Sequence, residues 1–289
     1  MKIYAPKYYK NFKCIADKCK HNCCIGWEID IDAETEKYYR SVTELNIMDN
    51  IEDGHFKLAK NDRCPFLNKN NLCDIILKLG EDKLCQICTD HPRFRNFYDD
   101  RVEVGLGLCC EAAAELILTY NDNFELELKE GEETPEDEFF AFRAQLFKIL
   151  QNRDKALDDR ICEMLTCCGV VMPKRSMKIW AQVYLSLERL DEKWTCMLEK
   201  LTCADVDLNK VSDNIRERLL IYFIYRHLGE GLYDGRINER ILFAVLSTDI
   251  ICAIVTACDE DVFEVARMYS SEIEYSEENV EALLEILGN

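Results

Sequence analysis

"FKCIADKCKHNCCIGWEIDID", residues 12–32, places Cys14, Cys19, Cys23 and Cys24 close together and then turns into an acidic, aromatic run with strand-like alternation. Four thiols at such spacing ask for a common task. Working outward, the pattern continues as C-x4-C-x3-C-C, then Cys64-x8-Cys73-x11-Cys85-x2-Cys88, then the adjacent pair Cys109 and Cys110. Ten of the 17 cysteines fall in the first 110 residues, and the other seven are spread along the remainder, where single cysteines on apolar helical faces read as small hydrophobes.

Compartment decides which thiol chemistry is open. The N-terminal run MKIYAPKYYKNFK has basic residues, tyrosines and a proline where an export signal needs a stretch of about 7–15 apolar residues, so a cytoplasmic chain is expected. Reduced thiols in an odd total then argue for metal binding or catalysis over a disulfide framework. Soft thiolates suit zinc or an iron–sulfur cluster, which takes four of them. Zinc ribbons usually show two CxxC knuckles, whereas only Cys85 and Cys88 form one here. The radical pattern CxxxCxxC is met by Cys19 and Cys23 but fails at Gly26. A thiol enzyme on Cys85 and Cys88 is a further alternative. Adjacent cysteines point differently, so one of each pair is expected to bind a given metal group.

Charge divides near the same place. Residues 1–110 carry 17 basic and 18 acidic side chains and residues 111–289 carry 19 and 37, giving net charges of −1 and −18. A field of that sign repels nucleic acid and reads first as a solvated surface, with basic partners as the second reading. The most apolar segment, Ile241–Cys258, is broken by Ser247, Thr248 and Asp249, so a buried core helix is expected and no membrane insertion.

The fold class expected is α+β and predominantly helical: an irregular, cysteine-rich, metal-binding N-terminal part over residues 1–120, an acidic linker over 121–138 containing Gly131 and Pro135, and an all-helical part over 139–289. Helices are expected near 138–152, 155–168, 174–200, 213–229, 236–257, 259–270 and 277–287. The last has Ser276 as cap and Val280, Leu283, Leu284 and Leu287 on one face. Short strands are expected at Trp27–Ile31 and Arg101–Leu108.

The runs "KNFKCIADKCKHNCCIGWEIDID" (10–32), "CPFLNKNNLCDI" (64–75) and "LCQICTDHPRF" (84–94) together resemble the flagellin lysine N-methylase family, whose N-terminal part belongs to a wider cysteine-cluster, zinc- or iron-chelating group. The resemblance covers residues 1–115. It implies methyl transfer from S-adenosylmethionine to lysine side chains of flagellin and an iron–sulfur cluster, 4Fe-4S, held by a subset of Cys14, Cys19, Cys23, Cys24, Cys64, Cys73, Cys85, Cys88, Cys109 and Cys110, with zinc as the alternative. The wider chelating group implies metal binding alone, so a non-enzymatic metal-binding interaction protein stands beside the enzyme.

Lysine methylation needs a neutral amine aligned on a sulfonium methyl, which apolar walls favour. Tyr4, Tyr8, Tyr9, Trp27, Tyr38 and Tyr39 could line a lysine channel or be core. Glu28, Asp30 and Asp32 alternate on one strand face, where Glu28 and Asp30, with Tyr8, are the catalytic candidates and a solvated edge is the alternative. Arg93 suits the methionyl carboxylate, and His91 and Trp27 join it as cofactor-binding candidates, against a structural role beside the metal. No GxGxxG follows a strand, and "VGLGLCC", with Gly105 and Gly107, is only a GxG. GxSxG, HExxH and P-loop signatures are absent.

Overall fold

A computed structural model of the chain describes residues 1–132 and 137–289; Pro135 of the expected linker lies outside the described residues. In chain order the elements are β1 (Lys2–Pro6), α1 (Ala33–Tyr39), β2 (Ile51–Glu52), β3 (His55–Phe56), α2 (Asp74–Leu79), α3 (Gln86–Asp90), β4 (Arg93–Phe97), β5 (Arg101–Leu106), α4 (Glu111–Leu118) and β6 (Leu126–Glu130). The helices α5 (Glu138–Leu150), α6 (Leu157–Cys168), α7 (Met177–Ser186), α8 (Glu192–Cys203), α9 (Asp213–His227), α10 (Gly231–Asp234), α11 (Ile237–Cys258), α12 (Val262–Tyr269) and α13 (Glu277–Gly288) follow. The chain is thus mixed α+β and predominantly helical.

It divides into two compact units. One, cysteine-rich, holds residues 13–94 with 110–112; the other, helical, holds 1–12, 95–109 and 113–289. The helical unit therefore includes both chain ends and receives the cysteine-rich segment as an excursion. Residues 121–138, expected as linker, contribute the edge strand β6 to it.

In the cysteine-rich unit, Ile29, Ile31, Tyr39, Ile47, Phe56, Phe66 and Ile75 form a small core that also takes in Cys64 and Cys85. The strand expected at Trp27–Ile31 does not form. Its side chains alternate as a strand's would, with Ile29 and Ile31 buried and Glu28 and Asp30 exposed. Pairing stops at a single bridge, Asp30 with His55, because β2 and β3 are only two residues each and leave no edge along which a ladder could extend. Asp32 instead caps α1, accepting from Thr35 N, and its second oxygen accepts from Gln86 N, both at 2.9 Å. Asp32→Ala is expected to lower stability by about 1 kcal/mol, the usual cost of a lost N-cap, measured by urea unfolding.

In the helical unit, strands stand in the order β4-β5-β1-β6, with β1 parallel to β5 (Lys2 opposite Arg101) and antiparallel to β6. The helices begin on caps visible in the sequence, among them Asp137, Ser176, Asp191, Asp261 and Ser276, each accepting from the first turn. The helix expected over 174–200 is two, α7 and α8. The break from Leu187 to Asp191 is held by distant groups: the Glu272 carboxylate accepts from Leu190 N (2.8 Å) and Asp191 N (2.7 Å), and Asn279 accepts from Glu188 N (3.0 Å).

Helix α11 is long and apolar enough to cross a membrane by length and composition, and 72% of its most apolar stretch is buried within this structure. Its hydroxyls are satisfied along the helix, Ser247 donating to Phe243 O and Thr248 to Ala244 O. Buried ion pairs knit this unit. Glu103 of β5 accepts from Arg101 and from Arg143 of α5, and Glu217 of α9 accepts from Arg153 (2.9 Å) and Arg160 (2.6 Å). Glu274 is reached by His227 at 2.7 Å, Arg226 at 3.3 Å and Tyr222 at 3.0 Å.

Candidate metal centre

Six of the ten N-terminal cysteines, Cys23, Cys24, Cys64, Cys73, Cys85 and Cys88, influence one another's ionisation in the cysteine-rich unit. Two short backbone links bring their segments together: Cys64 N donates to Cys24 O at 2.8 Å, and Leu67 bridges to Cys73. Cys85 is fully buried and Cys64 is 5% exposed.

Three of the sulfurs sit in tight turns that aim backbone N–H groups at them. Cys64 receives Phe66 and Leu67, Cys73 receives Ile75 and Ile76, and Cys85 receives Cys88. Such N–H donors favour the thiolate, whereas burial opposes it. Burial prevails at Cys64, pushed up to about 11, and at Cys73, also raised. Within the pairs, hydrogen bonding splits the titrations. The bond from Cys24 brings Cys23 down to about 7 and that from Cys88 lowers Cys85, while the partners Cys24 and Cys88 are driven upward.

This donor set fits a thiolate-bound metal group in kind: soft ligands, more than four of them, and N–H groups already turned toward sulfur, a device that also tunes iron–sulfur centres. Among the described residues no three Cys, His, Asp or Glu side chains stand in a closed metal-binding geometry, so ligation would draw the thiols inward. The turns C-P-F-L, C-D-I-I and C-Q-I-C that direct these N–H groups were the available sequence signal.

The remaining cysteines divide. Cys14, Cys19 and Cys110 lie near one another with Glu111, and Cys19 is pushed up to about 12 by burial first and by Glu111 and these thiols next. The Glu111 carboxylate also accepts from His21 N at 2.5 Å. Cys109 belongs to the helical unit and donates to Tyr275 Oη at 3.2 Å. The adjacent pair 109/110 is thus split between the units.

The other site candidates are also partly gathered. The Trp27 and His91 rings are 6.4 Å apart, and Trp27 Nε1 donates to Cys23 O at 2.6 Å, which sets this pair beside the thiols. Burial, then the Arg93 charge, lowers the His91 pKa, and Arg93 donates to Thr89 O at 3.0 Å. Glu28 is exposed, and Asp30 pairs with His55 Nδ1 at 2.7 Å. Glu28 and Asp30 thus share the exposed side of this alternating run, whereas Asp32 leaves it to cap α1. Tyr8 is a core residue of the helical unit, its ring 5.3 Å from Tyr120, and burial raises its pKa. The six aromatics proposed for a channel fall three to each unit, Tyr4, Tyr8 and Tyr9 in one and Trp27, Tyr38 and Tyr39 in the other.

The GxG run lies at a strand-to-helix turn, β5 ending at Leu106 and α4 beginning at Glu111. A Cβ at Gly107 would lie 3.0 Å from an Arg226 nitrogen and 3.2 Å from Tyr275 Oη, so any side chain there would make those groups give by a few tenths of an ångström.

No family model and no solved structure matches the chain. It is 28% identical over 133 residues to the flagellar biosynthetic protein FliU of Salmonella muenchen, covering 42% of this chain and 79% of that protein. It is also 28% identical over 140 residues to proteins named lysine-N-methylase from Salmonella typhimurium and Salmonella choleraesuis, covering 44% of this chain and 35% of each relative. The match thus spans about a third of those two proteins' length. Over a little more than two fifths of its length the chain is thus similar to proteins named lysine-N-methylase and to a flagellar biosynthetic protein.

Proposed function

We propose that the protein is a lysine N-methyltransferase that takes methyl groups from S-adenosylmethionine, modifies lysine side chains of flagellin in the cytoplasm, and carries a cysteine-ligated iron–sulfur cluster, 4Fe-4S, in its cysteine-rich unit. The observation that carries this reading is the similarity to the lysine-N-methylases and FliU. The six thiols that lie within one another's electrostatic reach support the cluster, with four of Cys23, Cys24, Cys64, Cys73, Cys85 and Cys88 as the residues that would hold it. When bound, such a cluster supplies a redox-active or Lewis-acidic iron and ties together a unit with little regular structure. Trp27, His91 and Arg93, beside those thiols, are the protein's own groups for orienting a cofactor. Arg93 offers a guanidinium to a carboxylate, and Trp27 offers a ring face to a cation.

The test begins with anaerobic purification and measurement of iron, acid-labile sulfide and zinc on one sample. Stoichiometric iron and sulfide are expected, with lysine methylation of flagellin by S-adenosylmethionine followed by mass spectrometry. Cys85→Ser is expected to lose most of the metal and to loosen residues 13–94. Zinc without sulfide, together with unmodified flagellin, would reject the enzyme and leave a metal-binding interaction protein.

A further inference from the structure

A cleft of about 380 Å³ opens in the helical unit between α6, α9 and α11. Ile161, Leu165, Leu208 and Val245 give it apolar walls. Its polar lining is unevenly matched. Arg216 of α9 is 4% exposed and donates to Asp158 Oδ1 at 2.8 Å and Asn209 Oδ1 at 3.2 Å, while its Nε has no hydrogen-bond partner among the described residues. Asp158 is thereby engaged. Asp249 of α11 also lines the cleft, and no described residue hydrogen-bonds or ion-pairs with its carboxylate.

Arg216, the cation in the lining, is hydrogen-bonded to Asp158 and Asn209 and meets Asp249 only through its field, so the carboxylates of Asp158, Asp207 and Asp249 outnumber the one guanidinium beside the apolar walls. A metal ion would need several oxygen or sulfur ligands converging, and no such group of three exists among the described residues. An organic cation with an aliphatic tail meets both requirements, since the tail displaces water from the walls and the charge meets the carboxylate.

We propose that this cleft is a binding site for primary alkylammonium groups, seating the aliphatic chain against Ile161, Leu165 and Val245 and the ammonium on the Asp249 carboxylate, with a protein lysine side chain as its occupant. The choice of a lysine as occupant rests on the methyltransferase reading; the binding chemistry does not.

The electrostatics agree. Burial pushes Asp249 up to about 7, with Arg216 opposing and Asp158 adding to the rise. The titratable and charged groups facing it are Asp158 and Cys162 on α6, Asp207 before α9, Arg216 on α9, and Cys252 on its own helix. A raised carboxyl must ionise to hold an ammonium. Alkylamine affinity is therefore low below pH 7, rises roughly tenfold per unit as Asp249 loses its proton, and levels off until the amine itself deprotonates near ~10.4.

The probe is n-butylamine, titrated calorimetrically into the full chain at pH 6 and pH 8. Saturable binding at pH 8, weakened at least about tenfold at pH 6, in Asp249→Asn and in the cleft-filling Val206→Trp, is the expected result, with n-butanol binding no better than the variants bind amine. Equal heats from wild type and both variants, or affinity indifferent to pH, would overturn the site. Flagellin methylation separates the two readings. Butylamine binding without any methylation rejects the methyltransferase and keeps the site, whereas full methylation by Asp249→Asn rejects lysine as the occupant.

Discussion

Glu103→Ala is expected to cost the helical unit about 3–5 kcal/mol, the range found when one member of a buried ion pair is removed. Glu103 is fully buried and its Oε1 accepts from both Arg101 and Arg143, two arginines that are themselves almost wholly buried. Without it, two guanidinium charges remain in an apolar setting walled by Tyr4 and Phe140, the Arg101 carbon lying 4.0 and 3.8 Å from those ring centroids. Ring faces compensate such a charge only weakly, by about 0.5–2 kcal/mol. The melting temperature is expected to fall by roughly 10 °C or more. Glu103 Oε2 and the Nε atoms of both arginines have no hydrogen-bond partner among the described residues. The triad is therefore under-satisfied, and replacing all three by apolar residues of similar volume (Arg101→Met, Glu103→Leu, Arg143→Met) should recover wild-type stability or exceed it. A triple variant as unstable as Glu103→Ala would show that the ion pairs themselves, and not the avoidance of unpaired charge, hold the sheet to α5.

Glu274→Gln is expected to cost about 3 kcal/mol at pH 7 and progressively less in acid. Burial alone would raise this carboxyl, but Arg226 and the His227 hydrogen bond hold it down at about 2. A group depressed from its unfolded value near ~4.3 contributes stability that is fully present above that pH and is lost as pH falls toward ~2. The urea midpoints of wild type and variant should therefore converge between pH 5 and pH 2. A gap that stays constant over that window would mean that Glu274 acts through its shape and hydrogen bonds alone. His227 does not supply the compensating charge, because burial lowers its pKa; Arg226 does.

These buried carboxylates mark where sequence reasoning ran short. The acidity of residues 111–289 read as a solvated surface, yet Glu217 and Glu272 are buried, and so is Glu274. Arginines distant in sequence make that tolerable at Glu217 and Glu274, and the Leu190 and Asp191 amides do so at Glu272; no local pattern announces either. The same cause split the helix expected over 174–200, since Glu272 lies 82 residues beyond the Leu190 amide it holds. Where partners are local, the reading was sound: Ser276 caps α13, Ile241–Cys258 is a buried core helix, and Arg101–Leu106 is a strand. Trp27–Ile31 had the alternation of a strand but lacked a neighbour long enough to pair with it. For the thiols, spacing suggested a set of ten, of which six lie together in the structure. It could not show that Cys109 faces Tyr275 while Cys110 lies with Cys19, because adjacent residues were sorted by a unit boundary that only tertiary structure draws.

The pairing of Lys2 with Arg101 has a consequence for assembly. As the chain leaves the ribosome, β1 appears first and has no parallel neighbour until the residues of β5 emerge, and the whole cysteine-rich excursion is made in between. A strand kept waiting is an open edge, and the longer the unstructured loop, the greater the entropy that closing it must overcome. Collapse of residues 13–94 during that interval shortens the loop to be closed. The order of synthesis thus lets the cysteine-rich unit gather before the scaffold that flanks it in sequence is sealed.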